Sequence, residues 1–264
     1  MAIPDTLRAL LNAHGPSGYE TAPARVFAEA ASAFAEVSTD VMGSTWARVK
    51  GTGDGPTLAI MGHIDEIGVI VTHVEDDGFL RFTGVGGWDP QILVGQRVTL
   101  ATRGGAVPGV IGKKPIHLLK DEERKKVARM DQLHIDIGAR DAADAAALVR
   151  VGDVAVITGD PVELPNGRVV ARALDNRLGC FVALEAARLV AEAGGAPGDV
   201  VAVAAVQEET AFGGSTTTAY ALRPDVALVV DVTHATDAPG MEEKEIGRHK
   251  FGTGPVITLS LIHI

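Results

Sequence analysis

The chain has 264 residues, 46% of them apolar, which suits one large domain or two smaller ones and excludes wholesale disorder. A formal net charge of -10 argues against a nucleic-acid binder, because neutralising phosphates needs a basic face, and "GKKP" and "DEERKK" mix their cations with acids. The single Cys180 excludes an internal disulfide framework, no apolar run approaches the roughly 20 residues of a membrane span, and the opening "MAIPDTLRALLNAHG" lacks the regions of a signal peptide. A soluble cytoplasmic protein is the expectation.

In chain order, "DTLRALLNAHG" spaces Leu and Ala as a helix does, with Asp5 as a cap and Gly15 as a stop. "GPSGYETAPARVFAEAASAFAEV" turns and then opens a second amphipathic helix. Strands are predicted around "WARVKG", "PTLAIMG" and "GVIVTHV". From about residue 75 the texture changes: "DDGFLRFTGVGGWDPQILVGQRVTLATRGGAVPGVIG" is Gly-rich with short alternating runs, pointing to a compact all-β unit. "MDQLHIDIGARDAADAAALVRVGDVAVITG" adds a strand, a short helix and a strand. After "GDPVELPNGRVVA" the helix–strand alternation returns. "NRLGCFVALEAARLVAEAGG" puts Cys180, Leu184, Ala187 and Ala191 on one helical face. "DVVAVAAVQ" and "DVALVVDV" are nearly continuous apolar runs, as strands buried on both faces are. The fold class read from these elements is α/β. One domain is formed by residues 1–71 and 165–264, split by a β-rich insertion over 72–164.

Polar residues interrupt that pattern at four places. "MGHIDEIGVIV" sets His63, Asp65 and Glu66 between apolar runs, and burying an unpaired charge costs several kcal/mol. "ARALDNRLG" puts Asp175 at a helix start, "AVAAVQEETAFGG" ends a buried strand in Glu208 and Glu209, and "ALVVDVTHATD" leaves Asp231 at another strand end. Ligands of open α/β sheets bind just outside the carboxyl ends of strands. One edge therefore collects His63, Asp65, Asp175, Glu208, Glu209 and Asp231.

That donor set points to two divalent metals. A pair about 3.5–4 Å apart needs a bridging carboxylate, terminal His or carboxylate ligands and a free base. Asp175 suits the bridge, and His63 and Asp231 suit one ion. One glutamate of the Glu208–Glu209 pair can ligate the other ion while its neighbour takes a proton. Asp65 can accept the second imidazole proton and fix the ring. Imidazole mixed with carboxylates favours zinc, cobalt or manganese over calcium.

Taken singly, each residue has a plainer explanation: a polar strand end for His63, a helix cap for Asp175, an acidic first turn for Glu208 and Glu209, a turn for Asp231. Four coincident interruptions of buried strands argue against that. A control lies in the chain itself, because "LHIDIGA" repeats His-Ile-Asp at His134 to Asp136. There Leu133, Ile135 and Ile137 alternate with polar residues as in a half-buried strand, so His134 reads as structural. No Gly-x-Ser-x-Gly elbow, P-loop or Cys-x-x-Cys pair is present, and Cys180 reads as core.

"GPSGYE", "GHIDEIG", "VGGWDPQ", "KKPIHLL", "HIDIGA", "ALDNR", "VQEET", "PDVALVVDVT" and "GTGP" occur in the order of the tetrahedral aminopeptidases, which the chain resembles from about residue 5 to about 257. These are cytosolic co-catalytic metallopeptidases related to glutamyl aminopeptidases, and some members were once labelled endoglucanases. The resemblance implies a mixed-sheet metallopeptidase domain flanked by helices, interrupted by a PDZ-like dimerisation insertion. It implies His63, Asp175, Glu209 and Asp231 as metal ligands, with Asp175 bridging, Glu208 as general base and Asp65 orienting His63. It further implies two zinc or cobalt ions, with manganese a third option, peptide substrates trimmed from the amino terminus, and dimers assembling into a hollow dodecamer.

The chain departs from the family twice. "TAFGG" follows "QEE" where the family has a small apolar pair and then Gly-Ala. The family also continues for about 80 residues, a length that domain sizes permit, and that segment carries a last ligand histidine. "LSLIHI" at 259–264 therefore reads as non-native, with His263 a poor substitute ligand. The reading expected is a two-metal aminopeptidase. The alternatives are a two-metal deacylase or carboxypeptidase-like amidohydrolase, or an inactive truncated subunit that only assembles.

Overall fold

The computed structural model describes residues 2–258, so the 259–264 stretch and His263 lie outside the described residues. Contacts divide the chain into two units, one up to Asp231 and one from Val232 onward. Among the described residues no helix is long and apolar enough to cross a membrane.

In the first unit, helices α1 (Asp5–Asn12) and α2 (Thr21–Ala31) precede strands β1 (Glu36–Thr39), β2 (Thr45–Val49) and β3 (Leu58–His63). Strands β4 (Gly68–Val74), β5 (Leu80–Val85), β6 (Arg97–Thr102) and β7 (Gly105–Lys113) follow, then the one-turn helix α3 (Asp121–Arg124). Next come β8 (Leu133–Asp136), α4 (Ala142–Leu148) and β9 (Val154–Ile157). A hairpin of β10 (Val162–Leu164) and β11 (Arg168–Val170) leads into the long helix α5 (Leu174–Glu192). The unit closes with β12 (Val200–Ala205), α6 (Glu208–Ala211), α7 (Gly213–Leu222) and β13 (Val226–Val229).

The main sheet has the order β1-β2-β12-β3-β13. Its strands β12, β3 and β13 are parallel, and β2 and β1 add antiparallel on one side, so the fold is the mixed α/β class expected. All six residues of β12 are buried, because helices cover one face and a second apolar cluster the other. On the first face Phe27 of α2 and Cys180, Leu184 and Ala187 of α5 pack against Ile60, Val200 and Ala202. On the second, Met61, Val201 and Val203 meet Trp46 and Leu222.

Helix α5 lies unusually close to β3, because Gly62 has no side chain there: a Cβ would sit 2.5 Å from the Cys180 amide nitrogen. That approach brings the start of α5 beside His63.

Two local expectations need correction. Strand β13 is exposed along its length, with Val229 70% accessible, where burial on both faces was expected. The apolar run was read correctly as a strand, but among the described residues β13 is the outer strand of the sheet and pairs with β3 alone. Asp5 does not cap α1. It is the first helical residue after Pro4, where its charge still favours the positive end of the helix dipole. The helix ends at Asn12, ahead of Gly15, whose missing Cβ instead makes room for Pro23, at 2.6 Å.

The β-rich segment closes into a six-stranded barrel, β4-β5-β8-β7-β6-β9, with a core of its own built on Val71, Leu80, Leu100, Ile111, Leu133 and Ile135. Closure leaves no free strand edge to satisfy. Its strands run from Gly68 to Ile157, set against the 72–164 expected. Alternation along β8 sends Leu133 and Ile135 inward and leaves His134 and Asp136 half-buried. The second unit contains the one-turn helix α8 (Glu243–Ile246) and a pair of bonds in which Thr236 and His249 each donate a backbone amide to the other residue.

Candidate metal centre

Because β3, β12 and β13 are parallel, their carboxyl ends lie at one edge of the sheet. His63 is the last residue of β3, Glu208 and Glu209 open α6 directly after β12, and Asp231 follows β13. Asp175 stands in the irregular first turn of α5, whose dihedrals depart from helical values. The six polar residues singled out by the sequence therefore do converge.

His63 is 4% exposed and central to the group. Its Nε2 lies 3.0 Å from Asp175 Oδ1 and 3.7 Å from Glu208 Oε2. Nδ1 lies 3.3 Å from Asp65 Oδ1, off the line of a well-aligned hydrogen bond. Two sets of potential ligand atoms each fall within 4.8 Å of one another: His63 with Asp175 and Glu209, and His63 with Glu208 and Asp231. His63 belongs to both sets, Asp175 and Glu209 to the first and Glu208 and Asp231 to the second.

Asp65, fully buried, has partners besides the imidazole. It accepts the backbone amides of Glu208 and Glu209, each at 3.1 Å, and the hydroxyl of Ser17. The backbone of both glutamates is thus held by one carboxylate, which also lies 3.3 Å from the imidazole.

The electrostatics fit a cation. Burial, reinforced by the charge of Asp175, pushes Glu209 up to about 7. Burial also raises Glu208, with Asp231, Asp65 and Asp175 adding to it. For His63 burial works against the charged form, but its bonds to Asp175 and Asp65 and the charge of Glu208 prevail and raise it to about 10. Burial opposes Asp65 ionising, yet bonds from His63 and Ser17 hold its carboxyl below the usual range. Carboxylates crowded until they resist ionising are relieved by a positive ion among them, and one imidazole with several carboxylates is a donor set for divalent transition metals.

Glu66, the second acid of the interrupting stretch, belongs to neither set. It accepts bonds from Arg172 and from Arg177 Nη2, the latter at 3.1 Å, and from the Gly15 amide at 3.1 Å. Arg177 is completely buried and also donates to the carbonyls of Ile64, Leu10 and Ala13. Asn176 donates to the Val230 carbonyl at 2.8 Å, linking the Asp175 turn to the chain just before Asp231. Sequence reading passed over both residues. The signal was available: a polar Asp-Asn-Arg run at the head of an apolar helix, and an acid at Glu66 with no partner assigned.

Two hollows flank the cluster. One, of about 460 Å³, is lined by His63, Glu208 and Asp231 together with Met61, Phe212 and Ala219. The other, of about 230 Å³, reaches Asp175 and Glu209 from the barrel side, with Ile67, Trp88 and Ile92 as apolar walls. His134 remains in the barrel, edge-on to the Phe79 ring at 4.9 Å, and Cys180 is core, its thiol raised by burial.

Comparison with known proteins identifies relatives of the chain. A protein of Acetivibrio thermocellus provisionally called an aminopeptidase is 37% identical over 222 residues, covering 84% of this chain; the chain spans 62% of that protein's length. A TET aminopeptidase structure from a marine-sediment Thaumarchaeota archaeon matches with a TM-score of 0.88 at 38% identity, covering 92% of this chain and 69% of that one. The TET1 peptidase of Pyrococcus horikoshii, described as assembling into a tetrahedron or a large octahedral shell, matches with a TM-score of 0.78 at 34% identity, covering 86% and 68%. The family model for M42 glutamyl aminopeptidase matches residues 43–262, and the chain belongs to that family.

Proposed function

We propose that the chain is the site-bearing part of a metal-dependent aminopeptidase that removes amino-terminal residues from peptides. One observation carries the reading: at the carboxyl edge of three parallel strands, one imidazole and four carboxylates bring their ligand atoms within 4.8 Å of one another in two overlapping sets. His63, Asp175, Glu209 and Asp231 would hold two divalent ions, zinc or cobalt for preference and manganese as a third choice. When bound, such ions polarise a carbonyl oxygen and make water more acidic.

The remaining steps belong to the chain. Asp65 keeps the His63 ring in one orientation and one tautomer. Glu208 accepts a proton from the attacking water and returns it to the departing amine. Burial and neighbouring acids raise Glu208, which brings it toward the range where a carboxylate both accepts and returns a proton. Metal content together with hydrolysis of an aminoacyl chromogenic amide tests the reading. Retained divalent metal and release of the chromophore would support the reading, and an acyl-only substrate preference would point instead to a deacylase.

The barrel belongs to the same reading as a PDZ-like insertion through which dimers build a dodecamer. The shells described for the Pyrococcus horikoshii relative support homo-assembly. Excising residues 75–160 and closing the gap should leave a monomer by size exclusion; large assemblies after excision would refute the assignment. The cytoplasmic placement expected from the sequence is part of the same proposal.

A further inference from the structure

The turn between α1 and α2 supplies no residue to the cluster, yet it supports the cluster from behind. Pro16 pairs with Glu66 in an isolated parallel bridge. The Ser17 amide donates to the Glu66 carbonyl at 3.3 Å, and the Glu66 amide donates to the Gly15 carbonyl at 3.1 Å. The turn is therefore fixed to the stretch that follows His63.

Two buried side chains extend from it. Ser17, 7% exposed, donates its hydroxyl to Asp65 Oδ2 at 2.5 Å. Glu20, 6% exposed, accepts the Gly18 amide at 2.7 Å and the Gln207 amide at 3.1 Å, both through Oε1. Three successive amides, those of Gln207, Glu208 and Glu209, thus each end on a carboxylate: Glu20 for the first, Asp65 for the next two. Gln207 has φ +57°, a left-handed conformation that residues with a side chain rarely adopt and that persists where surrounding bonds over-determine it. The bond from Glu20 falls on that residue.

We propose that Ser17 and Glu20 are positioning residues of the centre: Ser17 orients Asp65 and through it His63, and Glu20 holds the left-handed turn at Gln207 that directs Glu208 and Glu209 to the cluster. The inference rests on the proposed function for what the cluster binds, and on the hydrogen bonds alone for how the cluster is held.

The test compares the full chain with Ser17→Ala, Ser17→Thr, Glu20→Ala and Glu20→Gln. The readouts are zinc affinity by chelator competition, kcat and KM on an aminoacyl anilide, thermal midpoint, and hydrogen exchange at the Gln207–Glu209 amides. Partners that orient metal ligands typically contribute about 10–100-fold, so both alanine variants should lose zinc affinity by about that factor. Their kcat should fall with KM held, and Glu20→Ala should speed exchange at those amides. Ser17→Thr keeps the hydroxyl and Glu20→Gln keeps an acceptor oxygen, so both should stay near wild type.

Alanine variants that melt earlier but keep zinc affinity and kcat would reduce Ser17 and Glu20 to structural roles and overturn the proposal. So would Thr and Gln variants as damaged as the alanine ones. If Glu20→Ala does not fold, Glu20→Asp, with the same charge and a shorter reach, must show the loss. If the wild-type chain holds no zinc and hydrolyses nothing, the proposed function fails; exchange at the three amides then decides the positioning role by itself.

Discussion

The tripeptide His-Ile-Asp occurs twice, and the two copies do different things. At His63 to Asp65 it ends a parallel strand, so the next residues leave the sheet at the edge where β12 and β13 also end. His63 faces Asp175 and Glu208, and Asp65 is enclosed by Ser17 and two backbone amides. At His134 to Asp136 it lies within barrel strand β8, whose neighbours β5 and β7 are both antiparallel. His134 packs on Phe79, and the Asp136 carboxylate accepts the local Gly138 amide at 2.7 Å. The residues are identical; what differs is whether the strand stops where other strands stop. A histidine becomes a ligand candidate through the company its strand end keeps.

The largest effect expected is on rate. On the proposed reading, in which Glu208 is the general base and not a ligand, Glu208→Gln should lower turnover by about 10²–10⁴ while leaving metal content largely intact. Near-normal turnover with full metal occupancy would remove Glu208 from the role. The comparison of the two histidines is tested by His63→Ala against His134→Ala. The first should lose zinc after dialysis; the second should keep it and shift stability by about 0.5–1.5 kcal/mol, the worth of an aromatic pair. Equal zinc loss in both would break the comparison.

Buried and exposed arginines contrast in the same way. Arg177→Met leaves Glu66 buried with a partner removed and should destabilise the chain by about 3–5 kcal/mol by denaturant titration. Arg81→Met breaks the half-exposed pair of Arg81 with Glu75 on the barrel and two long bonds, at 3.4 Å each, to the Asp131 and Leu133 carbonyls, and should shift the denaturant midpoint far less. A small loss for Arg177 would mean that its bonds are dispensable. The smallest effect is expected at Cys180. Burial raises its thiol, so it stays protonated at pH 8 and should resist iodoacetamide until the chain is denatured. Labelling of the native chain at pH 8 would place Cys180 outside the core.

Much of the candidate site was legible because charges are unusual in buried strands. His63, Asp175, Glu208, Glu209 and Asp231 each stood where an apolar run broke off, and the structure brings all of them together. Asp65 was legible for its imidazole contact but not for its hold on the Glu208 and Glu209 amides, because spacing along one strand says nothing about a loop reached only through the sheet. Arg177 stayed hidden for a related reason. A charged residue on a helix reads as solvated until a buried acid and three carbonyls are seen around it. The exposure of β13 escaped as well, since an apolar run marks a strand but not its place in the sheet.

By itself the sequence determined the element types, the α/β class, the β-rich interruption and the residues able to carry metal chemistry. Those follow from local periodicity and from the cost of burying an unpaired charge, both properties of short stretches of chain. Only the tertiary structure decided that the interruption closes into a barrel, that β13 is an outer strand, and that the turn carrying Ser17 and Glu20 supports Asp65 and Gln207. These depend on which strands pair and which loops meet across more than a hundred residues of chain, as Glu20 and Gln207 do. Contacts over such separations are fixed by packing the whole sheet at once, and no short window of sequence contains them.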